Sequence, residues 1–188
     1  MLIGFVGAPS CGKSTVAFGL CYTLKQKDYA IEFYAEYARQ QIMQVRAQGS
    51  TGNGGLSGQR VIYTKDSENA LFYRSHTDAL IVTDGSTLNC YFYGIDDLDF
   101  KAEATKYDLL FYIPMTELPV IVHDENRMQN GAEIIAMGRR WEDTIRPLLS
   151  SIPNLVELPG YPQRSIEQMT AQAMDIILAK KSDLKRAA

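Results

Sequence analysis

The chain has 188 residues, enough for one domain of ordinary size with a sizeable core, and no composition break marks a second. Its residues are 46% hydrophobic and 22% charged, as in a globular protein, and no run of about 18 apolar residues offers a membrane span. A net charge of −3 argues against a broad nucleic-acid-binding face but leaves room for a local basic groove. Cys11, Cys21 and Cys90 are too few and too scattered for a disulfide framework or a zinc site. That predicts reduced thiols in a cytoplasmic protein.

Leu2–Val6 is short, apolar and bounded by Gly7, and reads as a buried strand rather than a signal peptide. From Lys13 to Lys27, Val16, Leu20 and Leu24 recur every fourth position and mark one helical face. Residues 30–35 read as a second strand, and Ala38, Ile42 and Val45 line a second helix. Residues 48–59 form a glycine-rich loop, and a less regular helix covers Gln59 to Ser75. Residues 79–83 make a near-continuous apolar run, as a strand covered on both faces does. Residues 107–113 and 155–158 are the fourth and fifth strands. Between them Ile134, Met137, Trp141, Ile145 and Leu148 define an amphipathic helix, with Trp141 in the core. Ile166, Met169, Ala173 and Ile176 define another, and the tail after Ala179 reads as a frayed, solvated end. Strands alternating with helices predict an α/β, three-layer domain over residues 1–188. Its five-stranded parallel sheet carries helices on both faces, and the strand C-terminal ends lie along one edge.

Gly7-Ala8-Pro9-Ser10-Cys11-Gly12-Lys13-Ser14 matches G-x-x-x-x-G-K-[ST] at every fixed position, between a strand and a helix. This is the phosphate loop (P-loop) of nucleotide-binding proteins. Glycines let the backbone curl so that amides point inward at phosphates, and the helix adds its positive end. Lys13 is expected to reach the β- and γ-phosphates of ATP, Ser14 to take a Mg²⁺ position, and Thr15 to cap or to meet the α-phosphate. Asp84, at the end of the third strand, is the second expected metal ligand.

Phosphoryl transfer also needs a carboxylate near the acceptor hydroxyl. Glu36 ends the second strand at the same sheet edge, and Arg39 lies one helical turn further on. Glu36 would take the acceptor's proton and Arg39 would bind a substrate phosphate or another polar group. The alternative is a helix-start acid paired with a helical arginine. A lid is expected over about 115–140, with Arg127 first and Arg139 or Arg140 second as the arginine neutralising the phosphoryl group in flight; Arg146 follows.

Other motifs are coincidences. Leu56–Arg60 imitates a transporter-ATPase signature too soon after the phosphate loop. Thr105-Lys106-Tyr107-Asp108 imitates a guanine-reading motif but precedes a strand instead of following one. His76 and His123 have no partner at metal-ligand spacing.

The chain resembles the ribosylnicotinamide-kinase-like branch of P-loop kinases, related to deoxynucleoside kinases. The likeness lies in Gly7–Thr15, Glu36-Tyr37-Ala38-Arg39, Thr83-Asp84-Gly85-Ser86, Tyr107-Asp108-Leu109-Leu110 and Asp124–Arg127. Glu125 stands where that branch often has glycine in the lid. The resemblance implies phosphorylation of a nucleoside-like hydroxyl, with Glu36, Tyr37, Arg39 and Asp84 at the substrate and residues 158–164 near the adenine. It extends to viral kinases acting on 5-hydroxymethyluracil in DNA. For a DNA acceptor, residues 48–59 with Arg46, Arg60 and Lys65 would open the site to a polymer. Tyr37, Tyr63, Tyr91 and Phe92 would then be candidates to stack on an extruded base. A nucleotide-switched binding module is the alternative from another class. The oligomeric state is left open, a homodimer included.

Overall fold

The structure is a computed structural model that describes residues 1–49, 55–115, 131–160 and 163–187. In chain order its elements are β1 (Leu2–Val6), α1 (Lys13–Gln26), β2 (Ile31–Tyr34), α2 (Ala38–Ala47), α3 (Gly55–His76) and β3 (Leu80–Thr83). They continue with α4 (Asn89–Phe92), α5 (Phe100–Ala104), β4 (Leu109–Tyr112), α6 (Gly131–Leu149), β5 (Leu155–Glu157) and α7 (Ile166–Ala187).

All five strands pair in parallel in the order β2-β3-β1-β4-β5. The three inner strands are buried along their whole length, so both faces are apolar and the sequence reads as unbroken hydrophobic runs. Alternate residues supply two cores. Ile3, Phe5, Leu80, Val82, Leu109 and Phe111 face one helical layer, where α1 brings Val16, Leu20 and Leu24 and α7 brings Met169, Ala173 and Ile177. Leu2, Val6, Ile81, Leu110 and Tyr112 face the other, built from Ala70 of α3, Phe100 and Ala104 of α5, and Trp141, Ile145 and Leu149 of α6. This is the three-layer P-loop NTPase arrangement expected from the alternating elements.

The structure departs from the sequence expectations at four places. Helix α3 starts at Gly55, so the second half of the glycine-rich stretch is helical rather than loop, and Leu56–Arg60 form its first turns. Helix α7 runs to Ala187, where a frayed end was expected; alanine and lysine in that stretch are strong helix formers. Helices α4 and α5 were not foreseen. Asp99 starts α5 by accepting the amides of Lys101 and Ala102, each at 3.1 Å.

Asp108 lies at the N-terminal ends of the strands. Its Oδ2 accepts the Leu2 amide at 2.6 Å, and Oδ1 pairs with Arg74 at 3.4 Å. The Thr105–Asp108 run therefore ties β1 to α3 at the edge opposite the phosphate loop.

Trp141 is fully buried and stacks on Tyr112 at 6.1 Å between ring centres. Trp141→Ala should cost about 3–5 kcal/mol of stability, read as a lower urea midpoint with an unchanged slope. A loss below about 1 kcal/mol would mean that this layer of the core does not hold the sheet as described.

Candidate active site

Between Val6 and Lys13 the chain turns tightly. Gly12 has φ 99° and Ser10, a non-glycine, has φ 64°. A Cβ on Gly7 would stand 2.5 Å from the Ile113 carbonyl oxygen, so only glycine lets β1 leave so close to the end of β4. No side chain caps α1, which leaves the first amides of that helix facing the loop with their positive ends. The Lys13 Nζ donates to the carbonyls of Gly7 and Ala8, both at 2.8 Å, and stands 3.8 Å from the Cys11 sulfur. Burial pushes the Cys11 thiol up further than the Lys13 charge pulls it down, so it stays protonated. Ala8, Ser10 and Cys11 are buried, Pro9 and Ser14 are half-buried, and Thr15 is exposed.

The register Tyr34↔Thr83 brings the ends of β2 and β3 side by side. Asp84 is 7% exposed, and its Oδ1 accepts the Glu36 amide at 2.8 Å. The Glu36 side chain lies on Gly85, where a Cβ would fall 2.7 Å from its carboxyl carbon. The next amide, that of Tyr37, donates to Asp66 Oδ1 at 2.9 Å. Asp66, on α3, is 4% exposed, and its Oδ2 is buried without a hydrogen-bond partner among the described residues. Burial first, then the charge of Glu36, then that of Asp84 push its carboxyl up to about 8, against the lowering effect of the Tyr37 amide. The structure thus joins Glu36, Tyr37 and Asp84 at one corner and adds Asp66. Sequence reasoning missed Asp66. The available signal was an acid standing between Ile62 and Ala70 at four-residue spacing, in the middle of an apolar stripe.

The other candidates have surroundings of their own. The Tyr63 hydroxyl donates to Glu103 at 2.8 Å and Lys106 lies over its ring, so half-buried Tyr63 belongs to a polar network with α5. Tyr91 meets Phe100 edge-on, and the Tyr37 ring packs against the cluster of Ile62, Cys90 and Ile95. Arg60 pairs with Asp97, Lys65 with Glu68 and Arg146 with Glu157, all on exposed surface. Arg140 lies over the Phe92 ring, and Arg39 and Arg139 are exposed. Arg164 donates to Gln172. His76 stacks on Phe72. Arg127, with the whole of Asp124–Arg127 and His123, lies outside the described residues, as do Tyr161 and Pro162 of the expected adenine contact. Among the described residues no group of three His, Cys, Asp or Glu is placed to hold a metal, and no helix is long and apolar enough to cross a membrane.

A parallel sheet in this order, with a G-x-x-x-x-G-K-S turn between its central strand and an uncapped helix, defines a P-loop NTPase of the kinase fold. The chain belongs to the family described as AAA domain, which matches residues 2–152. Solved structures share the fold at low identity. Two are of deoxyadenosine kinase from M. mycoides. The one with products dCMP and a flexible dCDP bound has a TM-score of 0.57 and 12% identity, over 95% of this chain and 99% of that one. The one with bound dCTP has a TM-score of 0.57 and 13% identity, over 97% and 100%. Shikimate kinase from Acinetobacter baumannii, in complex with shikimate, has a TM-score of 0.56 and 17% identity, over 96% and 94%. Comparison with curated proteins gives no match.

The raised Asp66 carboxyl has a consequence for stability. Its ordinary value is 3.8, so between about pH 4 and 8 the unfolded chain gives up a proton that the folded protein keeps. Stability contributed by this group is therefore complete below that window and is lost as pH rises through it. Asp66→Asn should flatten that fall, measured as urea midpoints from about pH 5 to 8. Parallel pH curves for the two proteins would contradict the raised carboxyl.

Proposed function

We propose that this protein is an ATP-dependent kinase that transfers the terminal phosphoryl group to a hydroxyl of a nucleoside or nucleotide. One observation carries the reading. The Glu36 side chain, lying on Gly85 and tied through its amide to Asp84, stands at the sheet edge where the phosphate loop opens. The fold shared with deoxyadenosine kinase and shikimate kinase supports it.

The residues present fit magnesium and ATP. The uncapped amides of α1 and the Lys13 ammonium suit a phosphate chain. The Ser14 hydroxyl and the Asp84 carboxylate are hard oxygen donors, and Mg²⁺ takes only one or two such groups from a protein. Magnesium-ATP supplies the phosphoryl group and neutralises charge on its oxygens. Lys13 exchanges the carbonyls of Gly7 and Ala8 for phosphate oxygens. Glu36 orients the acceptor O–H and takes its proton, so that the alkoxide oxygen gains the phosphoryl group as the bond to the leaving diphosphate breaks. Arg39 and Tyr37 border the acceptor, and Arg127 is the proposed arginine over the transferring group.

The test is transfer from γ-labelled ATP to deoxynucleosides, deoxynucleotides, shikimate and DNA containing 5-hydroxymethyluracil, assayed side by side. Label should appear in the nucleosides or nucleotides. Glu36→Gln should keep ATP affinity and lose transfer by about 10²–10⁴-fold. Label confined to the DNA, falling with rising salt, would move the acceptor to a polymer. Hydrolysis indifferent to every acceptor would replace the kinase with a nucleotide-switched binding module.

A further inference from the structure

We propose that Asp66 is a positioning residue for Glu36: from the buried face of α3 it holds the Tyr37 amide, and so sets the turn that aims the Glu36 side chain over Gly85. The inference rests on the reading of Glu36 as the group that meets the acceptor hydroxyl.

A carboxyl is costly where Asp66 sits. It occupies the inward stripe of α3 between Ile62 and Ala70, where burial disfavours a charged or unpaired carboxyl. It also reaches a backbone amide on another element. Two successive amides at the end of β2 are held by acids from two different elements, Glu36 by Asp84 at 2.8 Å and Tyr37 by Asp66 at 2.9 Å. With both amides anchored, the backbone on either side of the Glu36 side chain has one orientation, and Gly85 lets that side chain lie flat against the end of β3. Both peptide planes that flank the Glu36 α-carbon are thus fixed by side chains from other elements.

The charge state follows from the surroundings. The titratable groups around Asp66 are Glu36, Asp84, Tyr34, Cys90 and Tyr107. Beside two carboxylates and away from water, the neutral acid is favoured at neutral pH. A neutral Asp66 accepts the Tyr37 amide through Oδ1 and adds no third negative charge beside Glu36.

The experiment uses the full chain with ¹³C-labelled glutamate carboxyls, the Glu36 resonance being assigned by its loss in Glu36→Gln. Asp66→Ala should shift the Glu36 resonance, and Asp66→Asn, which keeps a neutral acceptor for the Tyr37 amide, should return it towards the wild-type position. In the transfer assay Asp66→Ala should lower kcat by about a hundredfold with KM for ATP nearly unchanged. Asp66→Asn, which keeps an acceptor for the Tyr37 amide, should recover most of that loss. A Glu36 resonance unmoved in Asp66→Ala would overturn the proposal. Should that variant fail to fold, Asp66→Leu takes its place, and a Glu36 resonance and kcat left at their wild-type values in it would overturn the proposal equally. If the wild type transfers label to no acceptor, the kinase reading falls while the resonance comparison still decides the role of Asp66.

Discussion

Strand β1 is covered on both faces and bonded along both edges, by β3 and by β4. Such a strand meets water only at its ends. The first backbone beyond the ladder on the C-terminal side is Gly7, and because all five strands run the same way, Asp84 and Glu36 emerge along the same rim. The opposite rim is closed by polar bonds to Asp108, which accepts the Leu2 amide and pairs with Arg74. Parallel pairing thus separates the rim tied together by Asp108 from the rim where Gly7, Glu36 and Asp84 gather.

Two buried acids on the α3 side of the sheet show how differently a carboxyl can be used. Glu103 has both oxygens engaged, one by Tyr63 and Lys106, the other by Thr87, whose amide in turn donates to the Tyr107 hydroxyl. That network is complete, and it welds α5 to α3 and to the segment after β3. Asp66 has one oxygen engaged and faces two other acids. Low dielectric strengthens the first arrangement and makes the second sensitive to a single proton.

The sheet and its main helices were legible because their signals span many residues. The apolar runs of β1, β3 and β4, the four-residue spacing of Val16, Leu20 and Leu24, and the stripe through Trp141 all repeat. The phosphate loop was legible because its spacing follows from geometry. Helices of one turn, such as α4 and α5, contain too few residues to show a period, although Asp99 carried a capping signal in principle. Asp66 was hidden for another reason. Pattern reading assigns polar residues to solvent, and only the fold shows that this one points inward at the end of another strand. An aromatic side chain announces bulk and not direction, and only the fold shows that Tyr63 hydrogen-bonds Glu103 and that Tyr91 meets Phe100 edge-on.

The fold bonds the Lys13 ammonium to two carbonyls inside the turn. A lysine that wanders in solvent loses rotamer entropy of up to about 2 kcal/mol when a ligand fixes it. Here the two carbonyls meet that loss on folding, so a phosphate bound as proposed would exchange one set of oxygen partners for another rather than freeze a loose chain. Preorganisation of this kind favours anions over neutral molecules of the same shape, because only a charged oxygen outcompetes the two carbonyls it displaces.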